Sequence, residues 1–152
     1  MKLIFGRNKH WISRWVRRHT WSEWSHVGAV EPHTGMVIEA YGGKSGGVKR
    51  TRIEDFENRY AETIYMFHDG DVNRAIERIG DKFDIQGLWG QLLRKNWHDQ
   101  DAWFCAELMG LASNIYNTES AHKLNAEDFV MSSKRYPFLE QDIADFPDDV
   151  EK

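Results

Sequence analysis

Residues 25–41 narrow the fold more than any other stretch. Two runs rich in small and β-branched residues, Val27, Val30, Val37 and Ile38 among them, flank Glu31-Pro-His-Thr-Gly35. Proline fixes one backbone dihedral and glycine permits a positive one, so this segment reads as a turn. The runs then form a β-hairpin over 25–31 and 36–41. Val48 to Ile53 alternates apolar and basic residues as a third strand, and Glu54-Asp-Phe56 reads as the turn after it. Residues 61–67 make a fourth strand, and residues 2–5, stopped at Gly6, a short one at the front.

Helical spacing takes over past residue 70. Asp71 can cap a helix over 72–80 with Val72, Ala75, Ile76 and Ile79 on one face. Asp84 can cap another over 85–95, aligning Ile85, Leu88, Trp89 and Leu92. After a polar loop over 96–101 a helix is expected over 103–116, and Asn125-Ala-Glu-Asp can open a short one. One helix comes early, over 9–19 behind Asn8, with Trp11, Ile12, Trp15, Val16 and His19 in a stripe and Arg14, Arg17 and Arg18 largely off it. Strands thus gather in the first half and helices in the second, which predicts an α+β domain rather than a doubly wound sheet. The 152 residues suit one domain, expected over 1–139, with an acidic, loosely held tail over 140–152.

Composition excludes several classes. No run of about 18 apolar residues is present, so no transmembrane segment is expected. Met1-Lys-Leu-Ile-Phe-Gly-Arg lacks the apolar core of a signal peptide. The expected location is therefore cytoplasmic or virion-associated, with lysis or packaging in a virion as the route out. A single cysteine allows no intrachain disulfide and no multi-cysteine zinc site, and the seven histidines hold no His-x-x-x-His pair. No metal and no other cofactor is expected. Residues 1–60 carry eleven Lys/Arg against six Asp/Glu, and residues 61–152 nine against eighteen. That asymmetry can orient a protein on an anionic partner, but solvated arginines beside a packed helical stripe explain it as well, and no nucleic acid is expected. The glycine-rich stretch over 41–47 reads as a flexible loop; no helix clearly follows it, as a phosphate-binding loop requires.

The candidate chemistry sits in three residues. Cys105 falls at the start of a helix, where unpaired backbone N–H groups lower a thiol from its ordinary value near about 8.5 and can hold an oxyanion. A cysteine nucleophile also needs a base and a group to orient the base. His26 shares its strand face with Gly28 and Val30. A turn closing Val30 onto Gly35 sets His26 opposite Glu39, as a cross-strand pair. A one-residue slip would turn Glu39 to the other face. Each residue alone also fits a plain structural role, the cysteine as a small buried hydrophobe above all.

Taken in order, Ser-His-Val-Gly-Ala-Val, Val-Ile-Glu-Ala, Gly-Gly-Val, Phe-Asp-Ile-Gln-Gly-Leu and Trp-Phe-Cys-Ala-Glu-Leu resemble the circularly permuted papain-like amidases of the NlpC-type cysteine peptidase superfamily. The resemblance covers roughly residues 2–131. In the unpermuted cell-wall peptidases the cysteine comes first; here the histidine does. The resemblance implies a papain-like α+β fold, a small antiparallel sheet or half-barrel packed against helices. It implies Cys105 as nucleophile, His26 as base and Glu39 as orienting residue of a thiol hydrolase. Ala106 stands where relatives commonly have Ser, and Phe83-Asp84 where many have Tyr-Asp, which leaves substrate choice open. Glu107 is expected to be scaffold, tying its helix to a basic neighbour, and Asp84 a cap. The implied substrate is an amide, foremost a peptidoglycan stem-peptide bond, with lipid or protein amides as alternatives. Association with a virion or a host envelope is compatible with it. The contrasting expectation is a silent module of the same fold, serving as a structural or binding component of a virion. The Trp-rich front (Trp11, Trp15, Trp21, Trp24) could line a cleft, or simply pack.

Overall fold

The computed structural model describes residues 1–8, 14, 17–18, 21–43, 46–85, 102–113 and 124–133. Strands β1 (Lys2–Arg7), β2 (His26–Glu31), β3 (Met36–Tyr41), β4 (Gly47–Arg52) and β5 (Glu62–Phe67) form one antiparallel sheet in the order β4-β3-β2-β1-β5. Helix α1 (Ile53–Arg59) links β4 to β5, and α2 (Asn73–Ile76), α3 (Cys105–Ala112) and α4 (Ala126–Ser132) follow. A two-residue parallel pair, β6 (Lys82–Phe83) and β7 (Ala102–Trp103), leads into α3. The architecture is α+β.

Alternation along each strand sends its side chains to two different cores. Leu3, Phe5, Val27, Ala29, Ile38 and Ala40 meet Phe104, Leu108 and Met109 around α3 and Phe129 of α4 on one face. Ile4, Val30 and Val37 meet Phe56 of α1 on the other, with Ile53, Tyr60 and Tyr65 around them. Coverage on both faces is why β2 and β3 read as nearly continuous apolar runs rather than clean alternation. The edge strand β4 carries Lys49, Arg50 and Arg52, and charge of this kind discourages pairing with another chain.

Three expectations are corrected. The segment 54–56 is not a turn but part of α1, whose acidic first turn (Glu54, Asp55) and terminal Arg59 complement its dipole. The helix expected over 72–80 is regular only over Asn73–Ile76, with turns to Gly80; Val72 is its N-cap residue, and Asp71 before it accepts the Asn73 N–H at 2.9 Å. The helix expected from 103 begins at Cys105, because Ala102 and Trp103 are taken up by β7. Asn125 opens α4 as expected and forms a reciprocal capping box with Asp128. Arg14, Arg17 and Arg18 are helical; the rest of the helix expected over 9–19, that over 85–95 beyond Ile85, and the tail over 140–152 lie outside the described residues. Among the described residues no helix is long and apolar enough to cross a membrane.

The hairpin register places Ala29 against Ile38, Val30 against Val37 and Glu31 against Met36. Extended, it sets Gly28 against Glu39, two residues away from the expected His26–Glu39 pair. An even shift preserves the face, so Glu39 stays on the His26 side as its diagonal neighbour. Gly28 is what allows the strands this close: a Cβ there would stand 2.6 Å from Val37 Cγ1 and 3.1 Å from the Ile38 carbonyl oxygen. Gly28→Ala is expected to lower stability by about 1–3 kcal/mol through overpacking, read as a lower urea midpoint. An unchanged midpoint would show that β3 yields without cost.

Candidate active site

Glu39 is fully buried, with a relative exposure of 0%. A carboxylate there is tolerable only with partners for its charge and both oxygens. Its Oε2 accepts from His26 Nε2 at 2.8 Å. Its Oε1 accepts from Thr51 Oγ1 of β4 at 2.5 Å and from Arg59 Nη2 at the end of α1. Burial pushes the carboxyl up, but His26, Thr51 and Arg59 outweigh it and hold it down at about 2.

With Nε2 given to Glu39, the other ring nitrogen of His26 is left for Cys105, whose sulfur is hydrogen-bonded to the His26 side chain. The imidazole is buried, 8% exposed, and lies 5.8 Å from the Tyr60 ring centroid in a stacked arrangement and 5.6 Å from Phe56. Tyr60 fits there because Gly6, opposite His26 on β1, has no side chain; a Cβ would stand 2.5 Å from the Tyr60 ring. Burial lowers the imidazole, yet the Cys105 charge and hydrogen bond, with those of Glu39, raise it to about 9. Conversely, burial raises the Cys105 thiol, while the His26 charge and hydrogen bond and the N–H groups of Val27 and Ala106 bring it below its ordinary value. The arrangement favours a thiolate beside an imidazolium.

How these two residues meet follows from the ends of two elements. His26 points to the α1 face of the sheet, whereas α3 packs on the opposite face. The β2–β3 ladder covers Ala29–Glu31, and from Gly28 back to His26 β2 remains paired with β1. Past the end of that ladder the Val27 N–H turns to the Cys105 sulfur. Cys105 is the first residue of α3 and Phe104 the extended residue before it, so the sulfur stands where helical N–H groups have no intrahelical acceptor.

All three predicted residues are therefore brought together. Phe56, Thr51, Arg59 and Tyr60, which build the rest of the site, were not singled out by sequence pattern. The acidic start and basic end of α1 are the signal that could have found it. Glu107 is buried, 2% exposed, and burial pushes its carboxyl up to about 8, against a backbone hydrogen bond from Phe104 and with the nearby Asp84 charge adding to the rise. Asp84 is itself buried, and its N–H donates to the Trp103 carbonyl at 3.0 Å. At the front, Trp24 is buried and Trp21 is 82% exposed beside a cavity of about 490 Å³ lined with Arg17, Arg18, Ser22 and Glu23; Trp11 and Trp15 lie outside the described residues. Among the described residues no three His, Cys, Asp or Glu side chains group as a metal site would require. Comparison with family models, curated proteins and solved structures finds no match to this chain.

Glu107 gives a stability prediction with a definite sign. Its carboxyl ionises near 4.5 in the unfolded chain but at about 8 in the folded one. Its stabilising contribution is complete below pH 4.5 and is lost as pH rises toward 8. Glu107→Gln, neutral throughout, is expected to flatten the fall in Tm across that window. Parallel Tm–pH curves for the two proteins would refute the assignment.

Proposed function

We propose that the protein is a thiol hydrolase that cleaves amide bonds, with Cys105 as nucleophile, His26 as general base and acid, and Glu39 as the residue that orients the imidazole. One observation carries this reading: a single buried imidazole joins a buried carboxylate, through Nε2 at 2.8 Å, to the one cysteine of the chain, at a helix start. Nucleophile, base and orienter in hydrogen-bonded series are what activated-nucleophile chemistry requires.

The chemistry follows from the resting charges. The Cys105 thiolate attacks the substrate carbonyl, and the tetrahedral oxyanion is met by N–H groups at the start of α3. His26, already protonated, gives its proton to the leaving amine, and a thioester to Cys105 remains. Water entering in place of the amine is deprotonated by His26, attacks the thioester and releases the acid. Glu39 keeps Nε2 protonated and turned away, so the other nitrogen handles every proton transfer.

The fold reading that accompanies this is papain-like, of the permuted NlpC type. An antiparallel sheet bears the histidine and its orienter on adjacent strands, a helix packed on the sheet begins with the cysteine, and the chain order is His, Glu, Cys. The substrate proposed is a peptidoglycan stem-peptide amide, with lipid and protein amides as the other acyl compounds such a site accepts. A wall substrate places the protein at work on a bacterial envelope, from a virion or from inside the cell.

Two measurements test this. Cys105 alkylation by iodoacetamide should proceed well below the pH of an ordinary thiol in the wild type. His26→Ala should return its midpoint to about 8.5. A midpoint near 8.5 in both proteins would sink the hydrolase reading. Incubation with purified wall fragments and with N-acyl lipids, read by mass spectrometry, should give hydrolysis that is absent in Cys105→Ala and about 10²–10⁴-fold slower in His26→Ala. The pH–rate profile should fall on the alkaline side near 9, where the imidazolium loses its proton.

A further inference from the structure

The structure assigns Arg59 as a positioning residue of this site: we propose that its guanidinium holds Glu39 as a fixed anion whether or not His26 is charged. The inference rests on the hydrolase reading above and adds to it a fourth residue, from an element the sequence pattern did not reveal.

The geometry is specific. Arg59 Nη2 donates to Glu39 Oε1, the oxygen that His26 does not use. Arg59 Nε donates to the Asp55 carbonyl at 3.3 Å, one turn back along α1. The guanidinium carbon lies 4.6 Å from the Tyr41 ring centroid, 5.3 Å from Phe56 and 5.8 Å from Tyr60. Three rings and one carbonyl therefore set the direction of the fork before it meets the carboxylate. The end of α1 is tied down in turn, because Asn8 Nδ2 donates to the Arg59 carbonyl at 2.8 Å.

The need for a second cation appears during turnover. While His26 is an imidazolium, Glu39 has a cation on each oxygen. When His26 gives its proton to the leaving amine, that partner is lost, and a fully buried carboxylate facing a neutral imidazole would tend to take a proton or rotate. Either would leave the imidazole unoriented before water arrives. Arg59 stays charged at every working pH, so it removes that step. The other charged and titratable groups around Glu39 do not substitute. Thr51 on β4 supplies a hydrogen bond without charge. Lys49, the strand partner of Glu39, has its Nζ 4.3 Å from the Tyr41 ring centroid instead. Tyr41 gives its ring face to the Arg59 guanidinium, burial keeps Tyr60 a neutral phenol, and Cys105 on α3 acts on Glu39 only through His26.

The test reads Cys105 alkylation against pH rather than hydrolysis, in full-length wild type, Arg59→Gln and Arg59→Lys, with circular dichroism to confirm folding. Gln keeps hydrogen-bonding atoms and loses the charge. The acid limb of the Gln profile should move up by about one pH unit, roughly a tenfold loss of reactive thiolate on that limb. Lys should restore most of the shift. A folded Gln variant with the wild-type limb overturns the proposal, as does an equal shift in Lys, which would assign Arg59 to packing alone. Should the Gln variant not fold, the Arg59 Nη resonances of the wild type decide. They should be separately resolved at neutral pH and merge in Glu39→Gln, and indifference to Glu39 overturns the proposal. A wild-type sulfur with an ordinary thiol profile defeats the hydrolase reading and this one together. A displaced wild-type profile with no Arg59 effect defeats this one alone.

Discussion

A carboxylate with no exposed surface is the constraint around which the rest of the molecule is arranged. Glu39 sits in the middle of the sheet at 0% exposure and draws one group from each of three elements: His26 from β2, Thr51 from β4, Arg59 from α1. Satisfying it fixes the mutual positions of those elements more tightly than apolar packing would, because hydrogen bonds are directional and an uncompensated buried charge is costly. Removing any one partner leaves charge or hydrogen-bonding capacity behind, so the four side chains behave as a unit. The same requirement gives α1 its place: without its terminal arginine the carboxylate would face the apolar cluster of Ile4, Val30, Val37 and Phe56 with one oxygen short of a cation.

The sequence told more about which residues share a face than about which residues touch. Hairpin, turn and α+β class were legible because Pro32 and Gly35 punctuate two apolar runs. The register was not. Closing the turn at Glu31–Met36 rather than Val30–Gly35 puts positive φ values at both His33 and Gly35, and histidine carries no signal that it will adopt one. The error was harmless to the site because it was even. Helix α1 escaped notice for another reason. Ile53 continues the alternation of β4, and Arg52, the residue before the helix, makes no side-chain cap. Without a Ser, Thr, Asp or Asn to announce it, the stretch 54–56 reads as a turn and Ile53 as the end of a strand. The β6–β7 pair is two residues long, too short to show any period.

The site's chemistry was legible only as far as residue type allowed. A lone cysteine, one strand histidine and a glutamate on the neighbouring strand pointed to the three side chains that the structure brings together. The stack of Tyr60 on His26 and the approach of Tyr41 to Arg59 depend on contacts between separate segments of the chain, which periodicity does not encode. Glu107 makes the same point from the other side. Its spacing from Cys105 suggested scaffold, and burial made it a carboxyl that resists ionising.

Cys105 and His26 approach each other from opposite sides of the sheet, past the end of one ladder. A ribosome delivers the histidine and its carboxylate early and the cysteine late. Until α3 has docked, the sulfur has neither the imidazolium nor the Val27 N–H that make it more acidic, and it behaves as a common thiol. The nascent chain therefore carries no activated thiolate. The lowered thiol is thus a property of the docked helix and sheet together, and neither segment carries it alone.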